Sequence, residues 1–205
     1  MKIDPSKISH QLAQSERDRL LPCPPLPGIQ DPANQPAAVL IPLLKDKNTW
    51  KILFIKRTEH QEDRHSGQIA FPGGRFDKDD STLKRTALRE AYEEIGLNST
   101  SVQILGQSCS MITVTGYKVT PFVGILDWPL SLNLSREEVE KTLLIPLDWL
   151  VEPANFRTEL WRSRRNPSIE LPVIFFKEYK GEVLWGATAQ ILVDFLELSA
   201  LMPGD

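Results

Sequence analysis

The sequence predicts an α/β protein in which a sheet is sandwiched between helices. Two observations carry that expectation. Apolar runs of strand length recur along the chain, and two substantial stretches with helical periodicity are mixed in among them. At 205 residues with 41% hydrophobic and 25% charged content, the chain has enough apolar material for one ordinary globular domain. A chain of this size buries a core without help from disulfides or a structural metal.

The elements follow in order. Residues 6–15 are expected to form a short helix. A proline-rich stretch, LLPCPPLPGIQDPANQP, follows it; its missing backbone donors exclude regular structure. AAVLIPLL (37–44) and WKILFIKR (50–57) are apolar runs split by KDKN, which reads as a hairpin. GQIAF (67–71) reads as a short strand ended by Pro72-Gly73-Gly74. A helix is expected from Ser81 or Thr82 to Gly96, a natural left-handed cap. VQILGQ and KVTPFVGIL read as strands, and residues 137–141 as helical or turn-like. FRTELWR, LPVIFF and EVLW suggest further strands, with Trp185 expected in the core. The closing ATAQILVDFLEL reads as a helix with Ile191, Leu192, Phe195 and Leu196 on one face.

Composition also excludes some functions. A formal charge of −3 with no basic block gives no reason to expect nucleic acid as a partner. Cys23 and Cys109 lie far apart in sequence, so neither a zinc site nor a disulfide framework is expected. The polar amino-terminal residues lack the apolar core of a signal peptide, and no stretch approaches the ~20 apolar residues of a membrane span. A cytoplasmic protein is expected.

The chemistry begins with a conflict inside the helix near Gly96. At 100° per residue, Leu83, Ala87, Leu88, Ala91 and Ile95 fall within about 140° of arc, the stripe to be buried. Glu94 falls inside the edge of that arc, Glu90 just outside it and Glu93 one step further round. Like charges roughly 6 Å apart at an effective dielectric of 20 repel by about 3 kcal/mol per pair. Partial burial adds a desolvation cost. A solvated charged face, with Arg89 offsetting Glu93, is the bland reading. Placement at the stripe's edge after a Gly-Gly loop favours another: a divalent cation bound by oxygens converts the repulsion into ligation. Mg²⁺ in particular takes one or two carboxylates together with substrate phosphates, which points to phosphate chemistry.

This stretch resembles the signature G-x5-E-x7-R-E-U-x-E-E-x-G-U of Nudix hydrolases, in which U is a bulky aliphatic. Arg89-Glu90-Ala91-Tyr92-Glu93-Glu94-Ile95-Gly96-Leu97 matches its second half, with Ala91 a small variant of U. In the first half the family's glutamate position falls on Asp80 counting from Gly74, and on Ser81 counting back from Arg89. The chain therefore looks like a signature with one inserted residue and an aspartate in place of the first glutamate. That lengthened form resembles the coenzyme A diphosphatase branch, in which a second motif precedes the signature. Here it is LFIKRTEHQEDRHSGQIAFPGG (53–74), with an altered start and a shifted arginine-to-histidine spacing. VTGYKVTPFVG (114–124) and LWGATAQIL (184–192) are also similar to stretches of that branch, so the resemblance covers residues 37–196.

The resemblance implies a Nudix-type α/β/α sandwich with a mixed central sheet over residues 37–200, preceded by a helix and proline-rich lead-in over 1–36. It implies a hydrolase that cleaves the diphosphate of coenzyme A, with other ADP-ribose, dinucleotide or nucleotide diphosphates as the alternative. A non-catalytic Nudix-fold nucleotide sensor is the alternative of another class. Glu90, Glu93 and Glu94 would be ligands of Mg²⁺ or Mn²⁺. Arg89 would orient a glutamate, and the Gly73-Gly74 loop would position the helix start. The general base stays open among Glu93, Glu94 and Glu138, whose segment NLSREEVEKTLLIPL resembles a loop that lends a carboxylate in some members. Lys56 and Arg57 end a strand just before the motif loop and are candidates for phosphate contact. Arg64 and His65 are candidates for the 3′-phosphate of coenzyme A. The partner is a small molecule, with neither nucleic acid nor membrane, and a homodimer is compatible with the sequence.

Overall fold

The computed structural model describes residues 3–18, 35–59, 66–162 and 170–202. Arg64, His65, Cys23 and most of the proline-rich stretch lie outside the described residues. In chain order the elements begin with α1 (Pro5–Asp18), β1 (Pro36–Asp46), β2 (Thr49–Arg57), β3 (Ile69–Ala70), β4 (Gly73–Arg75) and α2 (Leu83–Ile95). They continue with β5 (Val102–Gln107), β6 (Met111–Ile112), β7 (Lys118–Leu126), β8 (Val139–Pro146) and α3 (Leu147–Leu150). The last three are β9 (Phe156–Arg162), β10 (Glu170–Phe176) and α4 (Gly186–Leu198).

β1 is the hub of a mixed sheet. It pairs parallel with β7 and antiparallel with β2 and β4, giving the order β3-β2-β1-β7-β5, while β8 pairs with β2 and β6 with β7. The β1–β2 hairpin turns through Lys47 and Asn48, both at positive φ (47° and 69°). That conformation suits a two-residue turn whose twist matches the strands, and asparagine tolerates it well. The expected hairpin is present, with its turn confined to the last two residues of KDKN.

Side chains of β1 and β2 alternate between two buried layers, which is why both strands read as continuous apolar runs. Ala38, Leu40, Leu44, Leu53 and Ile55 meet Ala87, Ala91 and Ile95 of α2. Ile41, Leu43, Ile52 and Phe54 meet α1 through Ile8 and Leu12, and α4 through Leu192 and Phe195. The result is the α/β/α sandwich expected from the sequence. α1 is part of this packing: Ser9 Oγ donates to the Leu105 carbonyl at 2.8 Å, and a Cβ on Gly106 would come within 2.9 Å of Leu12. No helix among the described residues is long and apolar enough to cross a membrane.

Four expectations need correction. Within residues 137–141, only 137 and 138 lie in a turn; Val139, Glu140 and Lys141 already belong to β8, recruited by antiparallel pairing with β2. EVLW is not a strand, because it makes only isolated bridges at Glu182 and Trp185 before α4 starts. Trp185 is half-buried, its ring lying against Phe175 at 5.5 Å and Trp161 at 5.7 Å on the separate β9–β10 sheet. Cys109 is disulfide-bonded; distance along the chain is the wrong measure, since folding brings remote segments together.

Candidate active site

The site is built where β4 runs into α2. Thr82 caps the helix start, its hydroxyl accepting from Arg85 N at 3.2 Å. Gly96 ends the helix in the left-handed conformation (φ 68°), its N–H donating to the Ala91 and Tyr92 carbonyls. Both ends are fixed by local chemistry, so the rotation of α2 against the sheet decides where each glutamate points.

Glu94 points inward and is 1% exposed. Its Oε2 accepts from the backbone N–H of Gly73 at 2.9 Å, and Arg57 Nη1 lies 3.7 Å from its Oε1. Burial nevertheless dominates and pushes its pKa up to about 8, against the Gly73 bond and Arg57, with the charges of Glu90 and Glu138 adding to the rise. Glu90, one turn earlier, is half-buried and is also held above the usual carboxylate range, first by burial. Arg89 opposes that rise, while the charges of Glu93 and Glu138 reinforce it. Glu93 is 50% exposed and is drawn to Arg89 Nη1 at 2.7 Å.

The Gly73-Gly74 pair is required by close approach. A Cβ on Gly74 would come within 2.5 Å of the Glu90 carboxyl carbon, and one on Gly73 would strike the Ala38 carbonyl oxygen. Gly74→Ala meets only the end of a side chain, so Glu90 must swing away while the fold persists. The expected outcome is a roughly 10–100-fold loss of Mn²⁺ affinity at a near-unchanged melting temperature, checked by titration calorimetry and a thermal melt.

Arg89 is the organiser. Its Nε and Nη2 donate to Asp80 at 2.9–3.3 Å, its Nη1 pairs with Glu90 at 2.9 Å as well as Glu93, and its Nη2 also donates to the Arg75 carbonyl at 3.1 Å. Asp80 is buried and accepts further from Thr86 Oγ1 at 2.9 Å and Asp77 N at 3.1 Å. The Arg89 guanidinium is the main cause that holds the Asp80 carboxyl down at about 2. Two counts through the signature leave Asp80 and Ser81 as alternatives; Asp80 is the one that meets Arg89, and Ser81 is exposed. Thr86 escapes the sequence reading. Its signal is a hydroxyl beside Ala87 on the buried stripe, where an apolar residue is the default.

Glu138 lies in the turn before β8. Thr58 N donates to its carbonyl at 2.9 Å, and Ser135 N in the same turn donates to the Glu94 carbonyl at 2.9 Å. The turn is thereby tied to the last turn of α2, and the Glu138 charge is felt at both Glu90 and Glu94. Lys56 and Arg57 separate. Arg57 reaches Glu94, whereas Lys56 pairs with Glu140 at 3.2 Å and Glu182 at 3.1 Å. Lys141 also pairs with Glu182, at 2.7 Å.

Among the described residues, no three acidic, histidine or cysteine side chains converge closely enough to hold a metal ion as they stand. Arg89 draws Glu93 and Glu90 to itself. The donor chemistry still fits a hard divalent cation: Glu90 and Glu94 are oxygen donors four residues apart on one helix face, and burial raises the pKa of both despite Arg89 and Arg57, a cost that a bound cation would offset.

An α/β/α sandwich that presents glutamates from a helix behind a Gly-Gly loop defines the class. The NUDIX domain model matches residues 34–192. The chain belongs to this family: it is a Nudix hydrolase, a diphosphatase by class. Two bacterial relatives carry the name uncharacterized Nudix hydrolase NudL. The protein from Photorhabdus laumondii is 38% identical over 173 residues, spanning 84% of this chain and 89% of the relative. That from Yersinia enterocolitica is 34% identical over 168 residues, spanning 82% and 83%. Among solved structures, the Nudix hydrolase RenU from M. smegmatis superposes with a TM-score of 0.55 at 16% identity over 83% of this chain and 89% of that one. A MutT/nudix family protein from Enterococcus faecalis gives 0.53 at 14% identity over 96% and 74%. At such identities the likeness is one of fold.

Proposed function

We propose that the protein hydrolyses the diphosphate of coenzyme A or its derivatives, releasing 3′,5′-ADP and (acyl-)phosphopantetheine. The observation that carries the reading is the hydrogen bond from Gly73 N–H to Glu94. Gly73 is the first of the two glycines that end the motif HSGQIAFPGG, and Glu94 closes the run of glutamates, so one bond joins the substrate motif to the carboxylate helix.

In this reading Glu90, Glu93 and Glu94 hold Mg²⁺ or Mn²⁺. Such an ion neutralises the diphosphate and lowers the pKa of a water. Asp80 holds Arg89, and Arg89 sets the rotamers of Glu90 and Glu93. Glu94, anchored to Gly73, keeps its carboxylate aimed from the helix at the loop. Glu138 is the proposed general base, being an exposed carboxylate whose field reaches both Glu90 and Glu94. Arg57, Arg64 and His65 are the proposed phosphate contacts. A phosphate role for Lys56 requires breaking two ion pairs, so Arg57 comes before it.

Coenzyme A differs from ADP-ribose by a 3′-phosphate and a long thiol arm. Two charge-assisted contacts to that phosphate amount to roughly 3–6 kcal/mol, or about two to four decades in kcat/KM. The expected ranking, measured with Mg²⁺ and with Mn²⁺, puts coenzyme A above dephospho-coenzyme A, ADP-ribose and NADH. Equal turnover of ADP-ribose or dephospho-coenzyme A would leave a Nudix diphosphatase with a different substrate.

A further inference from the structure

The cations around the site differ in how they are compensated. Arg89 is shared among Asp80, Glu90 and Glu93, Lys56 between Glu140 and Glu182, and Arg57 faces Glu94. Arg75 is different. Its side chain is exposed, its guanidinium lies over the Tyr117 ring at 5.0 Å from the centroid, and among the described residues no carboxylate pairs with it.

The mount of this cation is rigid. Arg75 pairs in the ladder with Ala37, its carbonyl accepts from Arg89, and its neighbour Gly74 lies against the Glu90 carboxyl. Tyr117 is equally fixed: its N–H donates to Thr113 Oγ1 at 3.0 Å, its carbonyl accepts from Thr113 N at 2.8 Å, and its ring packs on the core. An uncompensated guanidinium therefore stands one residue from the glycine that seats Glu90, with an aromatic face beneath it. An exposed cation–π contact is weaker than a charge-assisted pair with a phosphate, so a phosphate draws the guanidinium off the ring. The ring face then becomes open to a base, and base–aromatic stacking is tolerant of which base it is.

We propose that Arg75 and Tyr117 form the subsite for the nucleoside end of the substrate, Arg75 taking a phosphomonoester on the ribose and Tyr117 stacking the base. The assignment rests on the coenzyme A reading, which supplies a substrate with such a phosphate, and adds to it the residues that recognise the nucleotide half.

The test is a binding measurement that needs no turnover. 3′,5′-ADP and 5′-AMP are titrated by calorimetry into the Mg²⁺-loaded protein, as wild type, Arg75→Gln and Tyr117→Leu. Wild type is expected to prefer 3′,5′-ADP by about tenfold or more, the scale of one charge-assisted contact. Arg75→Gln should erase that preference while leaving 5′-AMP binding within about twofold, a selectivity that a merely structural loss would not produce. Tyr117→Leu should weaken both nucleotides in parallel. A wild type with no preference, or an Arg75→Gln variant that keeps it or loses both ligands equally, overturns the subsite. Failure of the wild type to cleave coenzyme A is a separate result that overturns the proposed reaction.

Discussion

Glu94→Gln is expected to lower turnover by roughly 10²–10⁴-fold and, at the same time, to make the metal-free protein more stable. The amide oxygen still accepts from Gly73 N–H, so packing and anchorage survive. What disappears is a negative charge that burial opposes. The Glu94 carboxyl keeps its proton up to about pH 8 in the fold but only to its ordinary 4.5 when unfolded. A carboxyl raised in this way stabilises the fold less as pH climbs from 4.5 to 8, because the unfolded chain releases the proton first. At pH 9 without divalent cations the variant should therefore melt above the wild type, the difference being on the order of a few kcal/mol. Thermal melts with and without Mn²⁺ check it: the metal should raise the wild-type midpoint and move the variant far less. A variant that loses stability and activity together would mark Glu94 as a structural residue.

Asp80→Ala acts through the other side of the same helix. It strips the main partner from a half-buried Arg89 and leaves the Thr86 hydroxyl and the Asp77 N–H facing a void. Removing one member of a buried pair costs about 3–5 kcal/mol, which for a domain of this size is a large part of the total. Arg89 is then left to Glu90 and Glu93, so metal affinity should fall as well. Asp80→Asn separates charge from packing. Because the Asp80 carboxyl is depressed to about 2, its contribution is complete above its ordinary 3.8 and is lost as pH falls through 2. Urea midpoints of wild type and Asp80→Asn should differ clearly at pH 7 and draw together towards pH 2. A gap that stays constant with pH would remove the ion pair from the account.

What the sequence disclosed follows from the range of the interactions. α2 was legible with both caps because Thr82 and Gly96 act within one turn. The helical period alone placed Glu94 inside the buried arc, Glu90 at its edge and Glu93 outside. α4 and the first hairpin were legible for the same local reasons. Lys56 and Arg57 could not be told apart, because the register shift between them on β2 depends on pairing with β8. β8 itself was hidden, since Glu140 and Lys141 break its apolar pattern and only β2 makes it a strand. The Arg75–Tyr117 contact joins β4 to the turn before β7, and no spacing rule predicts it.

The proposed role of the α2 glutamates, cleavage of the coenzyme A diphosphate, is open to direct test. The most direct measurement incubates coenzyme A with the protein and Mg²⁺ or Mn²⁺ and identifies the products by mass. Equal amounts of 3′,5′-ADP and phosphopantetheine are expected, formed only with the divalent cation and at least about a hundredfold more slowly by Glu94→Gln. Intact coenzyme A in the presence of metal, or loss of the 3′-phosphate to give dephospho-coenzyme A with the diphosphate unbroken, would contradict it.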